Sequence, residues 1–212
     1  MTGPLTIPDS IELIGMHAFS NCIGLNGSLT ISKSIKSIES STFYNCTGLK
    51  GSLVIPDSVK IIQENAFAKC YGLNGTLILP NSITLIDDYA FLDCQSLTGS
   101  LEIPSGLTEI NPYSFKGCSS FNDTLIIPSS ITKIGDSAFD GCIGFSGNLI
   151  IPNSVTEAGS SSFSNCQGFN GSLTLSNALT KISSFAFYNC TRLNEIKEIP
   201  NILIIERSAF DC

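Results

Sequence analysis

Hydrophobic residues recur along this 212-residue chain in a fixed order of short bursts. An apolar triplet such as Leu77-Ile78-Leu79 comes first, and a pair three residues apart follows, as in Ile83 and Ile86. An Ala-Phe-x-x-Cys segment then closes the unit, as in Ala90 to Cys94. The same order returns about every 24 residues. Self-similarity at a fixed period of this length is typical of a solenoid, in which stacked coils share one core.

The cysteines mark the period most clearly, because successive cysteines are 24 residues apart until the last interval, which is 22. They are Cys22, Cys46, Cys70, Cys94, Cys118, Cys142, Cys166, Cys190 and Cys212. The pattern runs through the whole chain. It therefore predicts one domain over residues 1–212, made of about eight to nine coils and starting and ending in mid-repeat.

Each burst predicts an element. The triplet is a strand whose first and third side chains point inward and whose middle side chain points outward. A proline such as Pro80 ends it, because proline has no N–H for the neighbouring coil. The following pair marks a second short inward segment. Phe and Cys, three residues apart, predict a short helical turn. The fold class is a β-rich repeat solenoid with parallel strands and short helical turns.

The unit I-P-x-S-[IV]-x-x-I-x-x-x-A-F-x-x-C, as in Ile55 to Cys70, resembles the BspA-like, or Treponema-type, leucine-rich repeats. The resemblance covers the chain from Leu5 to Cys212, with an extra glycine-containing turn before each strand. It implies a repeat scaffold of cell-surface proteins that bind host proteins or cells. A cell-surface or extracellular location follows from the resemblance, although residues 1–8 do not resemble a secretory signal.

Composition narrows the range of partners. Charged residues make up 14% of the chain, and 11 Lys and Arg stand against 18 Asp and Glu, for a net charge of −7. No stretch is basic, so a nucleic-acid partner is not expected. No apolar run approaches the length of about 20 residues that spans a bilayer, so membrane insertion is not expected either.

Candidate chemistry is sparse. His17 is the single imidazole, and the sequence pairs no nucleophile with it, so we expect no catalytic site and no enzyme activity. One cysteine per coil is explained by a repeated core slot for a small thiol. Disulfides between stacked coils and a metal site are the less favoured alternatives, because nine is an odd number and clustered ligands are absent. No cofactor or metal ligand is assigned.

Six Asn-x-Ser/Thr sequons leave two interpretations open. They begin at Asn26, Asn45, Asn74, Asn122, Asn170 and Asn189. Four of them share one repeat position in the turn before the strand, where turn chemistry alone favours asparagine and serine or threonine. The sequons are either turn residues or glycan acceptors.

The outward middle positions of the strands form the candidate binding face. It consists of Val54, Ile78, Glu102, Ile126 and Ile150, in a column that Thr30 begins and Thr174 ends. An aliphatic stripe on a surface rich in Ser, Thr and Asn is typical of a contact surface. The alternative is that β-branched side chains favour strands and pack laterally on one another. Positions after the proline, including Lys36, Lys60, Glu109 and Glu157, are the second candidate surface.

Two functions follow from this pattern. The first is a non-catalytic binding module that presents its sheet face to a protein partner or cell surface, including adhesion to a host. The second is a structural or self-associating scaffold, with a homodimer through exposed solenoid ends, because unpaired strand edges invite pairing. The last unit is shorter and rich in charge and predicts a partial cap. The charged residues are Glu195, Lys197, Glu198, Glu206 and Arg207.

Overall fold

The computed structural model describes residues 1–197, 199, 202 and 204–211. The chain folds as a parallel β-solenoid of about eight turns, with repeats about 24 residues apart. This confirms the predicted β-rich solenoid with parallel strands. Within the described ranges, no helix is long and apolar enough to cross a membrane. Glu198 and Cys212, which were named above for the cap and for the cysteine period, lie outside the described residues.

The first coil contributes one short strand to the first of two faces, and each later coil contributes one short strand to each face. The first face contains β1 (Leu5–Thr6), β2 (Leu29–Thr30), β4 (Leu53–Val54), β6 (Leu77–Ile78), β8 (Leu101–Glu102), β10 (Leu125–Ile126), β12 (Leu149–Ile150), β14 (Ser172–Thr174) and β16 (Glu195–Ile196). The second face contains β3 (Ser37–Ile38), β5 (Ile61–Ile62), β7 (Leu85–Ile86), β9 (Glu109–Ile110), β11 (Lys133–Ile134), β13 (Glu157–Ala158), β15 (Lys181–Ile182) and β17 (Ile204–Ile205). Equivalent residues of successive coils lie side by side, as Leu53 does with Leu77.

The core is a set of continuous side-chain columns. Leu53 and Ile55 are buried on either side of the exposed Val54, which confirms the predicted strand phase. The phenylalanines form a stack with centroids 5.2 to 5.7 Å apart between neighbours. Its members are Phe19, Phe43, Phe67, Phe91, Phe115, Phe139, Phe163, Phe187 and Phe210. One coil alone cannot bury such a face, so the stack holds the coils together.

The predicted short helical turn around each phenylalanine is wrong. Asn65 and Lys69, which flank this segment in one coil, have positive φ angles of 56° and 61°, in the left-handed region. The N–H groups of Asn65, Phe67 and Lys69 donate to carbonyls of the next coil at 2.7 to 3.2 Å. The intervening N–H groups bond three residues back, as Ala66 does to Gln63. The segment is therefore a series of tight turns that bonds to its neighbour, and we call it the turn column.

Strand pairing on the first face is interrupted. The bonded groups are β1–β2, β4–β6, β8–β10 and β12–β14–β16. Between these groups, the one β-bridge among the described residues joins Thr76 to Thr98. Most of the bonded groups therefore span two coils, which is twice the period that the cysteines mark.

The turn before the first-face strand alternates in step with this pairing. Gly3, Gly51, Gly99 and Gly147 have positive φ angles, of 77° to 94°. Glycine adopts such angles without a Cβ clash. In the following coil an asparagine side chain accepts the N–H of that glycine, as Asn74 Oδ1 does from Gly51 at 2.9 Å. This turn therefore repeats every two coils. A coil with a positive-φ glycine, the glycine coil, is followed by a coil whose asparagine binds that glycine, the asparagine coil.

We expect Phe91→Ala to lower the free energy of unfolding by about 3–5 kcal/mol, because the truncation opens a cavity between two stacked rings. Urea denaturation measures the change. Ile143→Ala is the control, since Ile143 is 48% exposed and lies outside the stack. Equal losses for the two variants would contradict the role of the stack.

Candidate binding surface

The first-face strands place the predicted binding residues in one exposed column. Val54 is 49% exposed, Ile78 50%, Ile126 48% and Ile150 54%, and Glu102 is exposed between them. The column therefore consists of two aliphatic pairs separated by a carboxylate. The strand alternation that buries the flanking residues produces this outward placement, as predicted. A binding role for these residues stays a prediction.

A groove runs along the N-terminal half of the column. It has a volume of about 600 Å³, and Val54, Ile78 and Pro56 line it. Lys33 and Asp57 add opposite charges to its lining. This volume falls within the range of about 300–1,000 Å³ that is usual for ligand sites. An apolar side chain of a partner fits the floor, and the two charges can orient a polar group beside it.

The second face carries a different surface. Glu109, Lys133, Glu157 and Lys181 occupy equivalent outward positions of successive coils, and we call them the charge row. Lys133 Nζ lies 3.2 Å from Glu157 Oε2. A groove of about 530 Å³ lies beside the row. Glu109 and Glu157 were predicted as surface candidates, whereas Lys133 and Lys181 were not. The signal for the two lysines is the alternation of charge sign at the 24-residue period.

Glu206 lies beside the C-terminal end of the row, where Ile204 occupies the row position next to Lys181. Its carboxylate accepts the backbone N–H of Ser184 at 2.9 Å and lies 3.2 Å from Lys181 Nζ. The Ser184 N–H, followed by the Lys181 ammonium, lowers the pKa of Glu206. These contacts anchor part of the predicted cap. The last described coil nevertheless leaves Ile204 and Ile205 more than half exposed, so its apolar side is only partly covered.

The cysteines from Cys46 to Cys190 occupy a buried slot, as the core-packing interpretation predicted. Each Sγ from Cys46 to Cys190 donates to the carbonyl of the phenylalanine in the preceding coil, as Cys70 does to Phe43 at 3.1 Å. Burial raises the pKa of Cys46 to about 11 and raises that of Cys70 strongly. Such thiols are poor nucleophiles and poor metal ligands. Among the described residues, no group of three or more His, Cys, Asp or Glu side chains could hold a metal.

His17 lies at the first turn of the turn column. Its φ is 58°, its side chain is exposed, and its backbone N–H donates to Ser40 O at 3.1 Å. A shallow pocket lined by Ser20 and Tyr44 lies beside it. The contacts of His17 are thus those of a turn residue.

The sequon asparagines fall into two groups. Asn26, Asn74, Asn122 and Asn170 are exposed and accept a glycine N–H from the preceding coil, so their turn role is confirmed. Asn45 and Asn189 are half-buried and donate Nδ2 to an asparagine of the preceding coil. Glycan attachment at any of them stays a hypothesis.

The fold is that of a leucine-rich-repeat solenoid. It has parallel strands of two or three residues, a core of leucine and isoleucine, and one turn segment in each coil that stacks into the turn column. The model of the BspA type leucine rich repeat region matches residues 3–122 and 120–212. The chain belongs to this family, as the resemblance predicted. The fold of this family is a scaffold of the kind used in protein interaction and is typically non-catalytic.

Solved structures of bacterial leucine-rich-repeat proteins are similar to the chain. The protein from T. pallidum is 25% identical with a TM-score of 0.55, over 85% of this chain and 72% of that one. One from Bacteroides ovatus is 24% identical with a TM-score of 0.46, over 95% and 68%. A leucine rich cell surface protein from Faecalibacterium prausnitzii is 20% identical with a TM-score of 0.38, over 92% and 78%. No curated protein matches the chain.

We expect the free energy of unfolding to fall as the pH rises above about 8.5, the ordinary cysteine pKa. Unfolded thiols ionise there, whereas native thiols such as Cys94 stay protonated because burial raises their pKa. The unfolded state then binds fewer protons, so stability falls with pH by about 1.4 kcal/mol per pH unit for each such thiol. Urea denaturation from neutral to alkaline pH measures the slope.

Cys94→Ala is the matched variant for this prediction. It is less stable at neutral pH because it leaves a small cavity. Its stability nevertheless falls less steeply with pH, by about one thiol's contribution. An unchanged slope would show that other groups cause the alkaline loss.

Proposed function

We propose that the chain is a non-catalytic module that binds a protein partner through the column of Val54, Ile78, Glu102, Ile126 and Ile150. The observation that carries the proposal is the half exposure of four aliphatic side chains, in register, on one face. Exposed apolar surface that recurs at one position of successive coils is typical of a contact site. The interaction scaffold of the family supports the same function.

The rigidity of the column favours binding. The side chains project from strands whose flanking residues are buried, as Leu125 and Ile127 are on either side of Ile126. Binding of a partner therefore costs this chain little conformational entropy, because the surface is already ordered. Glu102 divides the two aliphatic pairs and selects for a partner with a donor or a positive charge at that point. The groove at Val54 and Ile78 is the site for an anchoring apolar side chain.

The setting of the proposed interaction is the cell surface or the extracellular space, including adhesion to a host. Membership of the BspA-type family supports this part of the proposal. A protein partner is more consistent with the aliphatic column than a glycan, because the column offers few hydrogen-bonding groups apart from Glu102.

The experiment probes an array of purified secreted proteins and membrane-protein ectodomains with the labelled 212-residue chain. We expect saturable binding to at least one of them. Ile78→Lys and Ile126→Lys should each weaken it by about tenfold or more, as the loss of a central apolar anchor does. Ile143→Lys is the matched control, because Ile143 and Ile126 are both 48% exposed and only Ile126 lies on the column. Undiminished binding by both column variants would exclude this face.

The same variants test the alternative that the column serves only lateral packing. We expect Ile78→Lys and Ile126→Lys to change the free energy of unfolding by no more than about 0.5 kcal/mol, as exposed sites usually do. Chemical denaturation measures this. A loss of several kcal/mol would show that lateral packing, and not binding, explains the β-branched residues.

A self-associating scaffold is the second candidate, with contacts through the solenoid ends. Leu13 is 71% exposed in the first coil, and Ile204 is 55% exposed in the last described coil. Exposed apolar side chains at both ends favour association between copies. Sedimentation velocity of Leu13→Lys against the unmodified chain tests it, and association that survives the substitution excludes the first coil.

A further inference from the structure

The charge row on the second face has an order that complements itself. Read along the solenoid it is Glu109, Lys133, Glu157 and Lys181, so the signs run minus, plus, minus, plus. Read from the other end the signs run plus, minus, plus, minus. A second copy laid antiparallel therefore places an opposite charge against each member of the row. Glu109 faces the second copy's Lys181, and Lys133 faces the second copy's Glu157.

We propose that two copies of the chain associate antiparallel through their charge rows, about a two-fold axis that passes between β11 and β13. The two rows belong to identical copies of the solenoid and have the same spacing, so the four contacts match together. A shift by one coil would place like charges opposite one another throughout. The charges thus select one register as well as one partner.

The geometry of the row suits this contact. The Lys133 and Glu157 side chains are 50% and 65% exposed, so each retains hydrogen-bonding capacity beyond their own 3.2 Å pair. Glu109 is exposed beside Lys133, and the described contacts include no ion pair for it. In the proposed dimer Glu109 gains a partner at Lys181 of the second copy.

The residues on either side of the row are small, so they do not keep a second copy away from the row. Thr108, Thr132 and Thr156 are exposed in successive coils next to the row. Their side chains are short, and Thr132 and Thr156 donate to carbonyls of the preceding coil at 3.1 and 3.2 Å. On the other side, Gly135 and Gly159 line the groove and carry no side chains. These small residues therefore leave the charged groups of the row accessible to a second copy.

The dimer is expected to be sensitive to salt. Exposed ion pairs contribute little individually, and screening shortens their reach from about 8 Å at 0.15 M to about 3 Å at 1 M. Sedimentation equilibrium at low salt should give twice the 22.5 kDa mass of the chain. In 1 M salt the same sample should give the mass of one chain. A single-chain mass at low salt over the whole concentration range overturns the proposal.

A variant in which every charge of the row is reversed distinguishes association between copies from ion pairing within one chain. We call it the inverted row. The variant combines Glu109→Lys, Lys133→Glu, Glu157→Lys and Lys181→Glu with Glu206→Lys, which keeps the ion pairs within the chain and removes the acceptor of the Ser184 N–H. It should form dimers with itself. Mixed with the unmodified chain it should form no antiparallel dimer in this register, because every facing pair then carries like charges. Energy transfer between dyes on the two N-termini, which lie at opposite ends of the antiparallel dimer, measures this, and mixed dimers with the transfer efficiency of the self-dimers overturn the proposal.

Milder variants keep the test valid if the inverted row folds poorly. Lys133→Gln combined with Glu157→Gln removes the central charges without repulsion and should weaken the dimer at least tenfold. Glu102→Lys changes a charge on the first face and should leave the dimer unchanged. Dimer formation and partner binding through the first face are therefore tested by different variants. Association that Leu13→Lys abolishes and the glutamine variant leaves intact would place the contact at the solenoid ends and overturn the proposal.

Discussion

The hydrogen bonds of the turn column are the constraint on which the rest of the structure depends. In each step from coil to coil, three N–H groups of this segment donate to the next coil, from His17, Phe19 and Asn21 at the first step to Phe185, Phe187 and Asn189 at the last. The strands of the first face pair in separate groups instead. The turn column, with three bonds at every step, is therefore the most densely bonded backbone connection between the coils, and it fixes the register in which the phenylalanines stack.

This connection requires left-handed backbone at two positions in each coil. Before the cysteine, that position is held mainly by Asn, Asp or Gly, which adopt it at low cost. At the other position Tyr89, Tyr113 and Phe185 adopt it as well. Such residues cost of order 1–3 kcal/mol there, so the surrounding contacts must hold them. The Tyr89 and Tyr113 rings stack on each other at 4.7 Å, which offsets part of that cost.

The sequence predicts the inward half of this fold well and the backbone of its turns poorly. Leu53, Ile55 and Phe67 are buried as their period requires, because a repeated apolar position has one place to go in a stack of coils. The three-residue spacing of Phe and Cys, by contrast, fits a helical turn and a run of tight turns equally. The alternation of glycine and asparagine coils was visible at Asn26, Asn74, Asn122 and Asn170. Its effect on strand pairing depends on φ angles that residue types alone do not specify.

The outward positions follow a different logic from the inward ones. A buried position packs against the same position of the coils above and below it, and this packing restricts it to apolar residues such as leucine, isoleucine, phenylalanine or cysteine. An outward position such as that of Ile78 or Lys133 meets only its lateral neighbours and solvent. In-register stacking repeats that freedom once per coil, so one face can carry an aliphatic column while another carries alternating charges. The binding properties of such a solenoid therefore depend on the residues that the repeat pattern leaves variable. A family resemblance carries least information about these residues, because it rests on the repeated buried positions.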